Sequence, residues 1–337
     1  MSNPSSNTSL SSLKPFKSVS FSGLAPGPRL IILGAVHGNE TCGTRAILRI
    51  VDDIDSGRIR IERGTVTFVP VTNPLAYQLV RRAGDRNLNR NLCPTDAPVD
   101  FEDHVANWLC PLLAQHEVLL DLHSFHTAGM PFAMLGPENN TGTLEPFSQA
   151  AKEEALVLRL GVQRFVDGWL DTYARGVARR VSALGAVTQR SDLLNTDPRY
   201  GVGTTEYMRS VGGCSLTLEC GQHEDPAAPE VAYRAIVNTL SHLGLTDLPE
   251  PPPAGDPEVL RIYEVIDKAH AADAFARTWK SFDVLRTGDL IGTRQDGTPV
   301  KATEDGYILF PNPTAACGQE WFYLAKASPR AWLPDEG

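Results

Sequence analysis

Four short apolar runs in this chain each stop on a polar residue of catalytic type, and this pattern restricts the possible folds more than any other feature. Arg29-Leu-Ile-Ile-Leu-Gly-Ala-Val36 leads into His37, and Gly64-Thr-Val-Thr-Phe-Val-Pro-Val71 leads to Asn73. Glu117-Val-Leu-Leu-Asp-Leu122 leads into His123, and Cys214-Ser-Leu-Thr-Leu218 into Glu219. Runs this short and this rich in apolar and β-branched residues read as strands, the first and third of them buried. Helical periodicity follows from Thr44 to Asp53, from Glu102 to Gln115 and from Pro226 to Leu243. Strands alternating with helices predict an α/β fold, a largely parallel sheet flanked by helices. In such sheets the functional groups gather beyond the carboxyl ends of the strands, which is where these four residues fall. A purely structural sheet would close its strands with turn residues.

The proline-rich stretch 248–258 reads as a linker. It separates a catalytic domain at 29–247 from a segment at 259–337, where short β-like runs alternate with Gly/Asp turns. Those runs (Arg261 to Val265, Asp289 to Thr293, Gly306 to Phe310 and Glu320 to Ala325) predict a small all-β domain. Residues 1–28 form a serine-rich N-terminal arm, expected to be loosely ordered; they lack the apolar core of a secretory signal. No run is long enough to cross a membrane. Hydrophobic residues make up 42% of the 337, enough for a sizeable core without staples. A net charge of −9 with no long basic run argues against nucleic acid as a partner. The six cysteines (Cys42, Cys93, Cys110, Cys214, Cys220 and Cys317) form no CxxC pair. They read as isolated thiols in a reducing, cytoplasmic setting rather than as a zinc knuckle or disulfide framework. A homo-oligomer is compatible with all of this.

His37 and Glu40 stand three apart in a glycine-flanked loop, so both can reach one point, as a metal site with nitrogen and oxygen ligands requires. Alone, the pair is better read as a loop histidine beside a solvated glutamate. His123 at another strand end supplies a third ligand and makes a catalytic site with an open position the better reading. Asp121, read as facing away from His123 in an extended chain, is either an orienting partner or a buried structural acid. A carboxylate closing an apolar strand, as Glu219 does, is costly to leave without a role. It is a general base beside a metal site, or the partner of an arginine. The run from Arg81 to Arg90 holds four arginines in an acidic protein. It is a solvated face, or a carboxylate grip that uses the planar guanidinium fork. His126 and His223 are read as contacts near the site rather than as ligands.

Together these segments resemble the succinylglutamate desuccinylase/aspartoacylase family, relatives of the zinc carboxypeptidases. The resemblance runs through the His37-Gly-Asn-Glu40 loop, Asp121-Leu-His123, Asn73-Pro74 with Arg82 and Asn87-Leu-Asn-Arg90, and Glu219 followed by Gly221. It implies a zinc-carboxypeptidase-like mixed sheet with a small C-terminal all-β domain, and one Zn2+ per chain on His37, Glu40 and His123. Glu219 would be the general base and Arg82 would polarise the scissile carbonyl. Asn89 and Arg90 would bind the substrate carboxylate, joined by Arg209, ten residues before Glu219. The implied reaction is hydrolysis of the amide of an N-acyl amino acid, a small anionic substrate. A metallocarboxypeptidase acting on short peptides or modified amino acids uses the same parts. A non-catalytic zinc-binding module would need neither Glu219 nor Arg82. Three departures stand out. Asn87 occupies the place of an aspartate in aspartoacylase, and the stretch from Thr143 to Leu194 is longer and expected to add helices around the pocket. Tyr307 and Tyr323 are both candidates for the substrate-binding tyrosine.

Overall fold

The computed structural model describes residues 15–183 and 196–330. In chain order the first half contains β1 (Val19–Ser22), β2 (Ala25–Leu33), α1 (Cys42–Asp55), β3 (Arg63–Val69), α2 (Pro74–Leu79), α3 (Phe101–Leu113), β4 (Val118–Phe125) and β5 (Phe132–Met134). Then come α4 (Ala150–Val157), β6 (Arg164–Asp167), α5 (Trp169–Ala183), α6 (Thr204–Ser210), β7 (Cys214–Gln222) and α7 (Ala228–His242). The C-terminal part is all strand: β8 (Glu258–Asp267), β9 (Ala274–Phe275), β10 (Asp283–Leu285), β11 (Leu290–Thr293), β12 (Pro299–Lys301), β13 (Gly306–Leu309) and β14 (Glu320–Ala327).

The apolar runs pair with one another because only a neighbouring strand satisfies their buried backbone groups. Eleven strands form one mixed sheet in the order β1-β3-β2-β4-β7-β5-β6-β8-β14-β13-β10, and β12-β11-β9 form a second. The centre is parallel: β3, β2, β4 and β7 run alongside one another. Side chains alternate faces along a strand, and β2 shows what that does. Leu30 and Ile32 join a cluster with Ile47 and Ile50 of α1 and with Ala232 and Ile236 of α7. Ile31 and Leu33 join the opposite cluster, with Val105 and Leu109 of α3. Leu30, Ile31, Ile32 and Leu33 are all fully buried, and each such side chain contributes about 1.5–3 kcal/mol by leaving water. Helices thus cover both faces, as expected.

Within the segment read as an N-terminal arm, residues 19–22 are strand and pair antiparallel with β3; residues 1–14 lie outside the described residues. The stretch from 143 contributes α4, β6 and α5, and its last part, 184–195, lies outside the described residues. After the proline-rich stretch, β8 pairs in parallel with β6 and antiparallel with β14. Of the C-terminal strands, β8, β14, β13 and β10 therefore continue the main sheet, while β9, β11 and β12 form the second. Phe310, Asn312 and the loop ending in Glu320 reach the cavity described next. Among the described residues no helix is long and apolar enough to cross a membrane.

Candidate active site: a buried His–Glu–His centre in a polar cavity

Beyond β2 the chain turns at once: Glu40 N donates to His37 O at 3.1 Å, which brings both side chains to the same side. Gly38 is required there, because a Cβ would lie 1.9 Å from the backbone carbon of Ala76 in α2. Ala35, just before the turn, sits at φ +48°, a strained value for a residue with a side chain. One ligand atom each from His37, Glu40 and His123 lies within 4.8 Å of the others, and all three residues are buried. The inward nitrogens are both Nδ1: His37 Nδ1 is 2.9 Å from Glu40 Oε1 and His123 Nδ1 is 2.9 Å from Glu40 Oε2.

The outward nitrogens are backed by oxygens. His37 Nε2 bonds Asn87 Oδ1 at 3.0 Å, and His123 Nε2 lies 2.9 Å from Asp121 Oδ2. Asp121 therefore does not face away from His123. Residues two apart in a strand share a face, and β4 stays extended through both. Burial and the Arg82 charge pull His37 down to about 4, which keeps its imidazole neutral. Burial opposes a charge on His123, but Asp121 and Glu40 outweigh it and hold its pKa well above the ordinary value. Burial also opposes a charge on Glu40, yet the two histidines hold its carboxyl well below the usual range. Two imidazoles and a carboxylate, with one ring hydrogen-bonded from behind by Asn87 and the other faced by the Asp121 carboxylate, are a donor set that fits a zinc ion.

Both backing groups also hold Asn89. Asn87 Oδ1 accepts from Asn89 N at 2.9 Å. On the other side, Thr204 Oγ1 donates to Asp121 Oδ2, while Thr204 N donates to Asn89 Oδ1 at 2.9 Å. Gly203 is pressed so close that a Cβ would lie 2.0 Å from Asn89 Oδ1. With its oxygen engaged, Asn89 has its amide hydrogens to offer a ligand. The loop from Arg82 to Arg90 is shaped by Glu102 of α3, which is fully buried and accepts from Gly84 N, Asp85 N and Arg86 N at 2.9–3.1 Å. Glu102 also takes Asn73 Nδ2 at 2.8 Å, and Asn73 Oδ1 caps α2 through Ala76 N. Asn73, read as a strand-end group of catalytic type, is thus a helix cap.

The centre opens on a cavity of about 480 Å³ lined by residues that include Arg82, Asn89, Arg90, Glu219, Glu206 and Tyr323. Arg82 Nη1 donates to Glu40 Oε1 at 2.9 Å and to His37 Nδ1 at 3.2 Å, so it stands at the ligand cluster's edge. Glu219 pairs in register with His123 across β4 and β7. It is 8% exposed, and its Oε2 has no hydrogen-bond partner among the described residues. Burial, with Glu40 adding to it, pushes its carboxyl up to about 8. Arg90 lies 4.8 Å over the rings of both Trp169 and Tyr173 and 3.5 Å from Glu320.

Arg209 also lines the cavity, but its guanidinium is engaged by Glu153 and Glu145, each at 2.8 Å, and by Ser215 O at 3.0 Å. His126 and His223 stack edge-on with centroids 5.0 Å apart, and Ser124 Oγ bonds His223 Nδ1 at 2.8 Å. Of the two tyrosines singled out, Tyr323 lines the cavity, with a buried hydroxyl that has no partner among the described residues. Tyr307 lies in β13, against β14. Thr204, Glu102, Tyr173 and Tyr200 were not singled out in the sequence. The first two bond across long separations, and the two tyrosines come from segments without a motif.

Residues 26–136 match the family model described as the succinylglutamate desuccinylase/aspartoacylase catalytic domain, which bears out the resemblance read from the motifs. No curated protein matches the chain. Among solved structures, a succinylglutamate desuccinylase/aspartoacylase from Rhodobacter sphaeroides superposes with a TM-score of 0.68 at 18% identity, over 93% of this chain and 90% of that one. The ectoine utilization protein EutE (DoeB) from Ruegeria pomeroyi, in a product-bound structure, gives 0.67 at 17% identity, over 92% of this chain and 88% of that one. Succinylglutamate desuccinylase from Vibrio cholerae gives 0.65 at 20%, over 90% and 82% respectively. These likenesses establish the fold.

Proposed function

We propose that this chain is a zinc-dependent deacylase that hydrolyses the amide bond of a small N-acyl amino acid. One observation carries the reading. His37, Glu40 and His123 converge on a point beside a buried carboxylate, Glu219, that has no hydrogen-bond partner on its Oε2 and faces the same cavity as Arg82, Asn89 and Arg90.

His37, Glu40 and His123 would hold one zinc ion, which when bound supplies a Lewis acid for the carbonyl and acidifies water. The positive charge of a bound ion would draw the Glu219 carboxyl down from about 8, and as a carboxylate it takes the proton of the attacking water and returns it to the departing nitrogen. Arg82, 42% exposed at the edge of the ligand cluster, donates to the carbonyl oxygen as negative charge develops there. Asn89 and Arg90 grip the substrate carboxylate, and that hold fixes the amide relative to Glu219. The aromatic faces of Trp169 and Tyr173 keep the Arg90 fork in place.

The Glu219→Gln variant tests this directly. It is expected to fold, to keep one zinc per chain and to lose turnover by about 10²–10⁴-fold, the usual worth of a general base. Wild-type turnover in that variant would remove Glu219 from the mechanism.

A further inference from the structure

The arginines of the cavity are not equally available. Arg86 is bound by Asp100 at 3.1 Å and Asp103 at 3.0 Å, facing away from any ligand role. Arg209 is 3% exposed and meets three carboxylates: Glu145 and Glu153 at 2.8 Å and Glu206 at 3.5 Å. Its fork is boxed in as well as paired, since a Cβ on Gly136 would lie 2.3 Å from Arg209 Nε. Three acids against one guanidinium leave this wall with surplus negative charge. Burial pushes the Glu145 carboxyl up to about 7, and the like charges of Glu206 and Glu153 add to that against the pull of Arg209. Glu206 itself lines the cavity and is 7% exposed. Its field is therefore weakly screened. On the Arg82, Asn89 and Arg90 side each guanidinium meets a single carboxylate: Arg82, 42% exposed, has Glu40 at 2.9 Å, and Arg90, 7% exposed, has Glu320 at 3.5 Å.

We propose that the cavity has a single carboxylate site, at Asn89 and Arg90, and that the Glu145–Glu153–Glu206 wall around Arg209 repels a second. The substrate is then an N-acyl amino acid whose side chain carries no acid. This deepens, and rests on, the amide-hydrolysis reading. Arg209 acts here as the internal counter-ion of the acidic wall, and it offers nothing to a dicarboxylate.

The test uses isosteric pairs that differ in one charge: N-acetylasparagine with N-acetylaspartate, and N-acetylglutamine with N-acetylglutamate, each hydrolysed by the zinc-loaded full chain. The amide member of each pair is expected to have a kcat/KM at least about tenfold higher, since a like charge facing a buried carboxylate is strongly disfavoured. The double variant Glu145→Gln/Glu206→Gln leaves Arg209 and Glu153 as a balanced pair, and the ratio should then fall toward one through faster hydrolysis of the acid member. Should the double variant fail to fold, Glu145→Gln alone should move the ratio in the same direction. Preference for the acid member in the wild type, or a ratio that the folded variants leave unmoved, would overturn the inference alone. Inertness toward both pairs with acetyl, succinyl and formyl in turn as the acyl group would overturn the deacylase reading and this inference with it.

Discussion

Thr204 shows how closely the proposed metal ligands and the proposed substrate grip are tied at the level of single atoms. Its hydroxyl reaches Asp121 behind His123, and its backbone nitrogen reaches Asn89. Thr204→Val keeps the shape and removes the donor. We expect zinc affinity to weaken about tenfold, the low end for loss of a group that orients a ligand, and KM to rise with it. Thr204→Ser should restore both. Competition with a chromophoric chelator gives the affinity, and a variant unchanged in affinity and KM would show the bridge to be idle. His37, Glu40, His123 and Glu219 could be singled out from the chain because their spacing and strand-end positions are local signals. Thr204 could not, because its bond to Asp121 spans 83 residues. Asp121 was placed on the wrong face because the two-residue period of a strand was misapplied, and the structure corrects that.

Long periodic elements were legible and short buried ones were not. The central strands and α1, α3 and α7 fall where apolar runs and helical spacing put them, with ends shifted by a few residues. The three-residue β5 and four-residue β6 are too short to show a period, although they carry the sheet from β7 to β8. β14 joins elements far apart in the chain. Glu320 at its start lies 3.5 Å from Arg90 in the 82–90 loop and bonds the hydroxyl of Tyr173 in α5. Burial would raise the Glu320 carboxyl, but Arg90, the Tyr173 hydroxyl and Arg180 bring it from the ordinary 4.5 down to about 2. A depressed acid stabilises the fold above its unfolded pKa and loses that contribution as pH falls through the folded one. Glu320→Gln should therefore cost on the order of 2–3 kcal/mol near neutrality. The gap to wild type should close between about pH 4.5 and pH 2. Urea unfolding across that range reads it, and parallel curves for the two proteins would contradict the assignment.

Across the whole molecule, the fold class could be read from the alternation of strands and helices, since burial on both faces leaves a parallel sheet few other forms. How the cavity is closed could not. Its walls come from the 82–90 loop, α5, α6 and the loop before β14, brought together only by the continuous sheet. The central claim is that a metal on His37, Glu40 and His123 makes this cavity a deacylase of N-acyl amino acids. Release of free amine from a panel of N-acetyl, N-succinyl and N-formyl amino acids and short peptides, with metal content assayed on the same sample, tests that claim most directly. The account predicts amine release from N-acyl amino acids that a chelator abolishes and added zinc restores. A fully metallated protein inert to the whole panel, or one that cleaves only the peptides, would contradict it.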